Sequence, residues 1–303
     1  MMRVRRRDLG TMDYASCWEL QRSLFEELLA EKNRRRRDGK AGNAANNMVS
    51  NAADETANGV ANNTTGYATN NTVENRIKSA TDHGNECPEA DAQNRAGTIL
   101  LVEHPPVYTL GKSGHAANLL VDDTALKRLG AEFFRIDRGG DITFHGPGQT
   151  VCYPILDLEK LGIGLREYID SLEEAVIRTV AEYGIAAGRI AGASGVWIGP
   201  GVDRPEANDL GLAGPGAMPA TRGGAPRKIC AIGVRSSRFV TMHGFALNVS
   251  TDLEWFSHIN PCGFVDRGAT SIERETGRKI AIGEVNDSLV ENLGKILNVK
   301  IYK

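Results

Sequence analysis

A cysteine and a lysine in this sequence are each placed where they could react. Cys262 lies in the turn INPCG, residues 259–263, between a rigid proline and a permissive glycine. Lys228 opens the short apolar strand KICAIG, residues 228–233. A thiol of ordinary pKa is only a few per cent thiolate at neutral pH, and a neighbouring ammonium favours the thiolate. The turn would display the Cys262 thiol as a possible nucleophile, although most lone cysteines are buried small hydrophobes and most strand-edge lysines lie in water.

The densest pattern of glycine and polar residues is RGGDITFHGPGQTVCY, residues 138–153. Its paired glycines would let the backbone approach a ligand, and the turn at His145 presents an imidazole. The alternative is a hairpin whose histidine is satisfied by the fold. A further segment, HGFALN at residues 243–248, also contains small and apolar residues. Glycine-lined walls with Ile232 and Phe245 would offer an apolar slot.

Helices and strands must position these motifs. Apolar pairs at seven-residue spacing predict a helix over residues 12–33 that ends at Arg34–Arg37. Other patterns predict strands at 98–103, 141–144, 151–156, 194–198, 228–234 and 240–248, helices at 165–183 and 289–297, and a helical turn near 252–258. Strands mixed with helices, without regular βαβ alternation, indicate an α/β or α+β fold with mixed sheets and flanking helices.

Two segments contain few core-forming residues. Residues 38–95 are dominated by Asn, Ala, Thr and Gly, and residues 199–226 by Gly, Pro and Ala. Such segments cannot bury enough apolar surface to offset the entropy of ordering them. We therefore expect a single catalytic domain over residues 1–303, interrupted by a disordered Asn-rich insertion at 38–95 and a Gly/Pro-rich loop at 199–226.

Bulk composition excludes several classes of protein. The 36 basic and 38 acidic residues give a formal net charge of −2, so no global field favours nucleic acid or a membrane surface. No apolar run reaches the ~20 residues of a membrane span, and the basic start MMRVRRR lacks a following apolar signal region. The five cysteines show no CxxC spacing, which favours free thiols and gives no metal site. A cytoplasmic location is expected.

Taken in chain order, the motifs resemble the lipoyl(octanoyl) transferase family. The segments that carry the resemblance are EHPPVYTLG (103–111), RGGDITFHGPGQ (138–149), KICAIG, HGFALN and INPCG. The resemblance spans about residues 8–300, apart from the segments 38–95 and 199–226. Relatives are expected to lack the insertion at 38–95. The resemblance implies a fold like the catalytic domain of biotin and lipoate protein ligases, with a tunnel for the acyl chain.

The resemblance also implies site residues. Cys262 matches a cysteine that forms a thioester, and Lys228 matches a lysine beside it. The acyl-binding residues it implies are Arg138, Gly139, Gly140, Asp141, Ile142, Thr143, Phe144 and His145, then Ala231, Ile232 and Gly233, then Gly244, Phe245 and Ala246. No metal site is implied.

The activity that the resemblance implies is transfer of an octanoyl or lipoyl group from octanoyl-acyl carrier protein to a protein lysine. The acceptors would be lipoyl domains of 2-oxoacid dehydrogenases and the H protein of glycine cleavage. No cofactor is expected, because thioester exchange is nearly energy-neutral and amide formation from a thioester runs downhill without ATP.

Three alternatives stay open. A lipoate or biotin ligase would adenylate a free acid with ATP, but it has no obvious use for a cysteine in INPCG. A papain-like cysteine hydrolase could pair Cys262 with His145 or His243, which would leave the Lys228 strand unexplained. A degenerate homologue would only bind carrier proteins.

For the transferase, Arg235 and Arg238 are expected to dock an acidic carrier.

Overall fold

The computed structural model describes residues 1–48, 94–205, 224–260 and 268–303, without the side chains of residues 38–48. The chain divides into two units, one formed by Met1–Glu31 with Asn94–Lys303 and the other by Lys32–Gln93. Most of the segment 38–95, the greater part of the loop 199–226 and Cys262 lie outside the described residues. The expectation of disorder in the two segments therefore stays a prediction.

Strands and helices follow one another without a regular alternation along the described residues. The strands are β1 (Met2–Thr11), β2 (Arg95–Glu103), β3 (Val107–Leu110), β4 (Glu132–Arg135), β5 (Ile142–His145), β6 (Gln149–Leu156), β7 (Gly188–Ile190), β8 (Ala193–Ile198), β9 (Arg227–Ser237), β10 (Val240–Asn248), β11 (Gly268–Ala269) and β12 (Val299–Tyr302). The α-helices are α1 (Tyr14–Met48), α2 (Asp123–Leu129), α3 (Leu158–Leu161), α4 (Leu165–Ala181), α5 (Ile272–Thr276) and α6 (Ile282–Ile296). Two short 3₁₀ helices span Ala116–Asn118 and Leu253–His258.

Most of the described strands form one mixed sheet. Its order is β12-β1-β2-β6-β10-β9-β8-β7, and β11 pairs with β9 outside this path. The pairs of β1 with β2 and β12 are parallel, as is the pair of β9 with β11, whereas β2 through β8 pair antiparallel along the sheet. Strands β4, β3 and β5 form a separate sheet in that order. The prediction of mixed sheets with flanking helices is confirmed.

The large sheet has an apolar cluster on each face. Because side chains alternate along a strand, Ile99 and Leu101 of β2 join the cluster that contains helices α4 and α6. Their neighbours Leu100 and Val102 join the cluster that contains Cys17, Phe25 and Leu28 of helix α1. Helices on both faces thus fix the central strands β6, β10 and β9, which hold the motifs.

One prediction about the first residues is wrong, and one strand was not predicted. Helix α1 does not end at Arg34–Arg37 but continues to Met48, because arginine, lysine and alanine are good helix formers. Strand β1 was not predicted, since MRVRRRDLGT has no apolar alternation; Val4 is nevertheless fully buried between β2 and β12. Among the described residues, no helix is long and apolar enough to cross a membrane.

Candidate active site

A cavity of about 990 Å³ lies against strands β9 and β10, a volume at the upper end of the range for small-molecule sites. Of the described residues that the sequence predicted for the site, all but Phe144 line this cavity. Residues that were not predicted complete the wall, among them Tyr14 of α1, Leu165 and Ile169 of α4, and Trp197 of β8. No motif indicated them, because they come from distant elements that only the fold brings together.

Strand β9 is paired on both of its edges at Lys228. On one edge its register partner is Trp197 of β8, and Lys228 Nζ lies 4.5 Å from the centre of the Trp197 ring, a cation–π contact. On the other edge, Gly268 and Ala269 of β11 pair in parallel with Arg227 and Lys228. Lys228 thus lines the cavity from a strand that is paired on both sides.

The segment 261–267, which contains Cys262, begins and ends at residues of the cavity wall. Asn260 and Gly268 both line the cavity. The Asn260 amide donates to the carbonyl oxygen of Asn118 at 2.8 Å, and Asn118 Nδ2 donates to Asp141 Oδ2 at 2.6 Å. The chain before the segment is thus tied to the RGGD loop through Asp141, and the chain after it is tied to Lys228.

Both ring nitrogens of His145 are bonded within the fold. Gln149 Nε2 donates to the Phe144 carbonyl at 3.1 Å and to Asn248 Oδ1 at 2.8 Å, so Gln149 Oε1 is the atom that faces His145. His145 Nδ1 therefore carries the proton and donates to Gln149 Oε1 at 2.8 Å. His145 Nε2 accepts from the Thr109 hydroxyl at 3.3 Å.

Burial lowers the pKa of His145 to about 3, so its ring is neutral at physiological pH. A ring with so low a pKa and with both nitrogens engaged is a poor base for a thiol. The structure favours the alternative of a histidine satisfied by the fold. Although His145 lines the cavity, its hydrogen bonds hold the loop in place.

The Arg138 guanidinium also donates hydrogen bonds to neighbouring atoms of the protein. Its Nη2 donates to the Thr109 carbonyl at 2.7 Å and to Thr109 Oγ1 at 3.1 Å, and its Nη1 donates to the Gly139 carbonyl at 2.9 Å. Further along the same network, Asn248 Nδ2 donates to the Thr270 carbonyl at 2.9 Å. Continuous hydrogen bonds thus join the RGG loop to the residue that follows β11.

Asp137, which precedes the RGG motif, was not predicted as a site residue. Its Oδ1 accepts from His243 Nε2 at 2.9 Å, and its Oδ2 forms an ion pair with Arg235. The hydrogen bond from His243 and the charge of Arg235 lower the pKa of Asp137. Arg235 also lies over the Phe25 ring, 5.1 Å from its centre. The guanidinium expected to dock a carrier is therefore engaged with the fold.

His243 is almost completely buried, at 1% exposure, and it lines the cavity. Burial lowers its pKa despite the hydrogen bond to Asp137, so its ring is neutral. Because Nε2 donates to Asp137, the lone pair of the neutral ring is on Nδ1. That Nδ1 has no hydrogen-bond partner among the described residues.

The site glycines mostly accommodate the protein rather than a ligand. A Cβ at Gly233 would lie 2.8 Å from Arg138 Cδ and 2.9 Å from the Gly139 oxygen. A Cβ at Gly244 would lie 2.1 Å from the Cys152 oxygen. By contrast, the nearest atom to a Cβ at Gly139 is the Val234 oxygen, at 3.3 Å. Gly233 and Gly244 line the cavity, but at these two positions neighbouring atoms of the protein already leave no room for a side chain.

Phe144 requires a correction as well. It is fully buried behind the cavity wall, and its ring stacks on Trp255 with centroids 5.0 Å apart. Its neighbours Thr143 and His145 line the cavity, whereas Phe144 does not. Tyr108 of the same cluster donates from its hydroxyl to the Trp255 carbonyl at 2.9 Å. Phe144 thus supports the 3₁₀ helix Leu253–His258 that leads to Asn260.

Comparison with known proteins shows which family this chain is similar to. The family model described as the lipoyl protein ligase A/B catalytic domain matches residues 86–294. An octanoyltransferase of Bacteroides thetaiotaomicron is 52% identical over 213 residues, which cover 70% of this chain and 85% of that protein. An octanoyltransferase of Flavobacterium johnsoniae is 38% identical over 300 residues, which cover 99% of this chain and 98% of that protein.

A solved structure shares the fold. A chain from the structure of a bi-partite lipoate protein ligase and its E2 lipoyl domain from Thermoplasma acidophilum superposes with a TM-score of 0.50 at 16% identity, covering 68% of this chain and 73% of that chain.

Proposed function

This chain belongs to the octanoyltransferase family, whose members are acyltransferases built on the lipoyl protein ligase A/B catalytic domain, and we propose that Cys262 and Lys228 carry its reaction. In this proposal the octanoyl group comes from an acyl carrier protein and passes through a Cys262 thioester to a lysine of a lipoyl domain. The acceptors are the lipoyl domains of 2-oxoacid dehydrogenases and the H protein of glycine cleavage.

The observation that carries the proposal is the attachment of the segment 261–267 at both ends. Cys262 follows Asn260 by two residues, and consecutive Cα atoms are about 3.8 Å apart, so the two Cα atoms lie within about 7.6 Å of each other. Asn260 lines the cavity, and the returning chain pairs with Lys228 at Ala269. Chain connectivity therefore supports a thiol close to the cavity wall at Asn260, on a segment whose other end pairs beside Lys228.

In the first half-reaction the Cys262 thiolate attacks the carbonyl carbon of the octanoyl thioester on the carrier. A new carbon–sulfur bond to Cys262 forms, and the bond to the carrier sulfur breaks. The Lys228 ammonium favours the thiolate beforehand, each unit of pKa depression reflecting about 1.4 kcal/mol. Lys228 then gives a proton to the leaving carrier thiolate and becomes a neutral amine.

In the second half-reaction the neutral amine of the acceptor lysine attacks the Cys262 thioester. A carbon–nitrogen bond forms, the carbon–sulfur bond breaks, and Cys262 leaves as a thiolate. Lys228 accepts the proton that the attacking amine releases, so both residues return to their starting forms. Forming an amide from a thioester runs downhill, and the cycle consumes no ATP.

The acyl chain occupies the cavity along β9 and β10. Ile232, Phe245, Val151 and Trp197 give this part of the wall its apolar character. Burying roughly seven carbons at ~0.8 kcal/mol each would contribute about 5 kcal/mol to binding. The glycine-rich loop Arg138–Asp141 lines the same cavity and is held by its own hydrogen bonds.

The hydrolase alternative loses support from the two histidines it would need. His145 is neutral with both nitrogens engaged, and His243 Nδ1, the nitrogen that would have to accept the proton of a thiol, is buried. The ligase alternative shares the fold but leaves the attachment of the cysteine segment at Lys228 without a role. The three described cysteines are free, which is compatible with the cytoplasmic location that we propose.

The test is transfer of an octanoyl group from octanoyl-acyl carrier protein to a purified lipoyl domain, followed by mass spectrometry of the domain. We expect transfer without ATP, and no product from free octanoate with or without ATP. The Cys262→Ala variant should have the wild-type circular dichroism spectrum and no activity. Product from free octanoate that requires ATP would identify a ligase instead. Full activity of Cys262→Ala would exclude the thioester.

A further inference from the structure

We propose that His243, held by Asp137, closes the acyl cavity at the end away from Lys228 and so limits the length of the acyl chain that the enzyme accepts. The proposal rests on the function proposed above, in which the reacting thioester lies at Lys228. It adds to that function a residue that determines chain-length specificity and that was not among the acyl-binding residues implied by the resemblance.

The position of His243 along the strands supports this role. On β9 the cavity-lining residues run from Lys228 to Val234, and the next residue, Arg235, does not line the cavity. On β10 the lining ends at His243, and Met242 does not take part. Val234 and His243 are register partners. The cavity therefore ends on both strands at this pair.

The length of the cavity fits an acyl chain of medium length. Lys228 and Val234 are six residues apart, which corresponds to roughly 20 Å along a strand at 3.4 Å per residue. Carbon–carbon bonds of about 1.5 Å make an extended eight-carbon chain roughly 9–10 Å long. The lysine side chain and the thioester group occupy part of the remaining length. An acyl chain a few carbons longer than octanoyl would therefore reach His243.

The His243 ring is fixed in place. Its Nε2 donates to Asp137 Oδ1 at 2.9 Å, and the other oxygen of Asp137 is held by Arg235. The backbone of His243 has a φ of 61°, in the left-handed region that non-glycine residues rarely adopt. Strain of this kind persists where the surrounding structure over-determines it, commonly at functional sites. The imidazole is therefore a rigid end wall.

The end wall also differs chemically from the rest of the slot. The walls nearer Lys228 include Ile232 and Phe245, whereas the charged Arg138 packs against Gly233, next to the Val234–His243 pair. His243 Nδ1 has no hydrogen-bond partner among the described residues. The nitrogen is itself buried, so a chain long enough to reach His243 meets a fixed ring rather than open space. A shorter chain ends against apolar walls.

The decisive variant is His243→Gly. Glycine adopts a φ of 61° without strain, and removing the ring leaves Asp137 paired with Arg235. The measurement is kcat/KM for carrier proteins loaded with saturated acyl chains of six to fourteen carbons. We expect the ratio of the twelve-carbon to the eight-carbon substrate to rise about tenfold or more, the scale at which pocket size discriminates methylenes.

A matched control is Phe239→Gly in the same hairpin. Phe239 also has a positive φ, 64°, but it is 51% exposed and does not line the cavity. Its chain-length profile should equal that of the wild type. His243→Asn, which keeps a shorter polar group and tolerates the same backbone region, should lengthen the accepted chain less than His243→Gly.

Binding of free fatty acids of the same lengths, measured by calorimetry on wild type and His243→Gly, supplies a test that does not depend on catalysis. We expect the affinity maximum to move to longer chains in the variant. If octanoyl transfer fails altogether, binding still tests the end wall separately from the proposed reaction. A folded His243→Gly protein with an unchanged chain-length profile, or with an equal loss for all lengths, would overturn the proposal.

Discussion

The backbone amide of Thr270 donates a hydrogen bond to the carbonyl oxygen of Lys228 at 2.9 Å. Thr270 is itself held from two directions, because its hydroxyl donates to Glu275 Oε1 at 2.5 Å and its carbonyl accepts from Asn248 Nδ2 at 2.9 Å. Glu275 is in turn clamped by two hydrogen bonds of 2.6 Å from Arg227. The chain that returns from the cysteine segment therefore meets Lys228 at a rigid position.

Replacing Lys228 by methionine should raise the pKa of Cys262 and slow both half-reactions. Methionine keeps an apolar stem over Trp197 but removes the charge. An opposite charge within ~4–6 Å shifts a pKa by about 1–3 units, and a lost proton-transfer group costs about 10²–10⁴-fold in rate. The rate of iodoacetamide labelling at Cys262 against pH measures the first effect, and single-turnover kinetics measure the second.

The matched control for Lys228→Met is Cys230→Ala, on the same strand. Cys230 is fully buried, and burial raises its pKa well above the ordinary value, so it should contribute no labelling at neutral pH. Its removal should leave the Cys262 profile unchanged. An unaltered labelling profile in Lys228→Met would remove the lysine from its proposed role.

The fold should lose stability as the pH falls from 7 towards 4. Burial lowers the pKa of His145 to about 3 and that of His104 to about 4, whereas an unfolded histidine titrates near 6.5. Between these values the unfolded state binds more protons, so stability is present above pH 6.5 and decreases as the pH falls. Each histidine contributes about 1.4 kcal/mol per pH unit in that window.

Thermal melting of His145→Gln against pH checks this linkage. Glutamine cannot titrate, so the variant should show a shallower fall in Tm from pH 6.5 to pH 4 than the wild type. The exposed His115→Gln is the control and should keep the wild-type slope. Equal slopes in all three proteins would show that His145 is not held neutral by burial.

The motifs predicted most of the described cavity wall, because a motif of consecutive residues carries its own local geometry. The segments 138–143, 231–233 and 244–246 all line the cavity. The sequence could not show that the Phe144 ring packs on Trp255 instead of lining the cavity, since that contact joins residues far apart in the chain. It also gave no sign of Tyr14, which helix α1 brings to the cavity.

Asp137 illustrates a second limit of the sequence. The sequence before the RGG motif does not indicate that the Asp137 carboxylate bonds to both His243 and Arg235, which lie about a hundred positions later in the chain. Likewise, the glycines at 233 and 244 suggested ligand contact, although close packing of neighbouring backbone requires them. Glycine patterns identify crowded positions but not what crowds them.

Gly233→Ala should therefore destabilise the protein and weaken acyl binding. A methyl group there would meet Arg138 Cδ at 2.8 Å and the Gly139 oxygen at 2.9 Å, so the loop has to move. Overpacking of this kind costs about 1–3 kcal/mol. Denaturant unfolding and octanoate affinity should both register the change.

Gly139→Ala is the comparison for Gly233→Ala, because its methyl group would meet only the Val234 oxygen at 3.3 Å within contact range. We expect a smaller loss of unfolding free energy than for Gly233→Ala. The reverse order of stability would show that loop packing on β9 does not limit this site.

Replacing residues 40–94 by a short Gly/Ser linker should leave the first unit folded and active. The composition of the removed residues favours few core contacts, and the residues that line the cavity lie in Met1–Glu31 and Asn94–Lys303. Circular dichroism melting and the transfer assay check this prediction. Loss of the cooperative transition would show that the segment contributes to the core.

The most direct measurement is mass spectrometry of the intact enzyme after mixing with octanoyl-acyl carrier protein in the absence of an acceptor. The account predicts one added octanoyl group, located on Cys262 by peptide mapping, which disappears when a lipoyl domain is supplied. Cys230→Ala should form the same adduct, and Cys262→Ala should form none. An enzyme that octanoylates the lipoyl domain while Cys262 never carries the group would contradict the account.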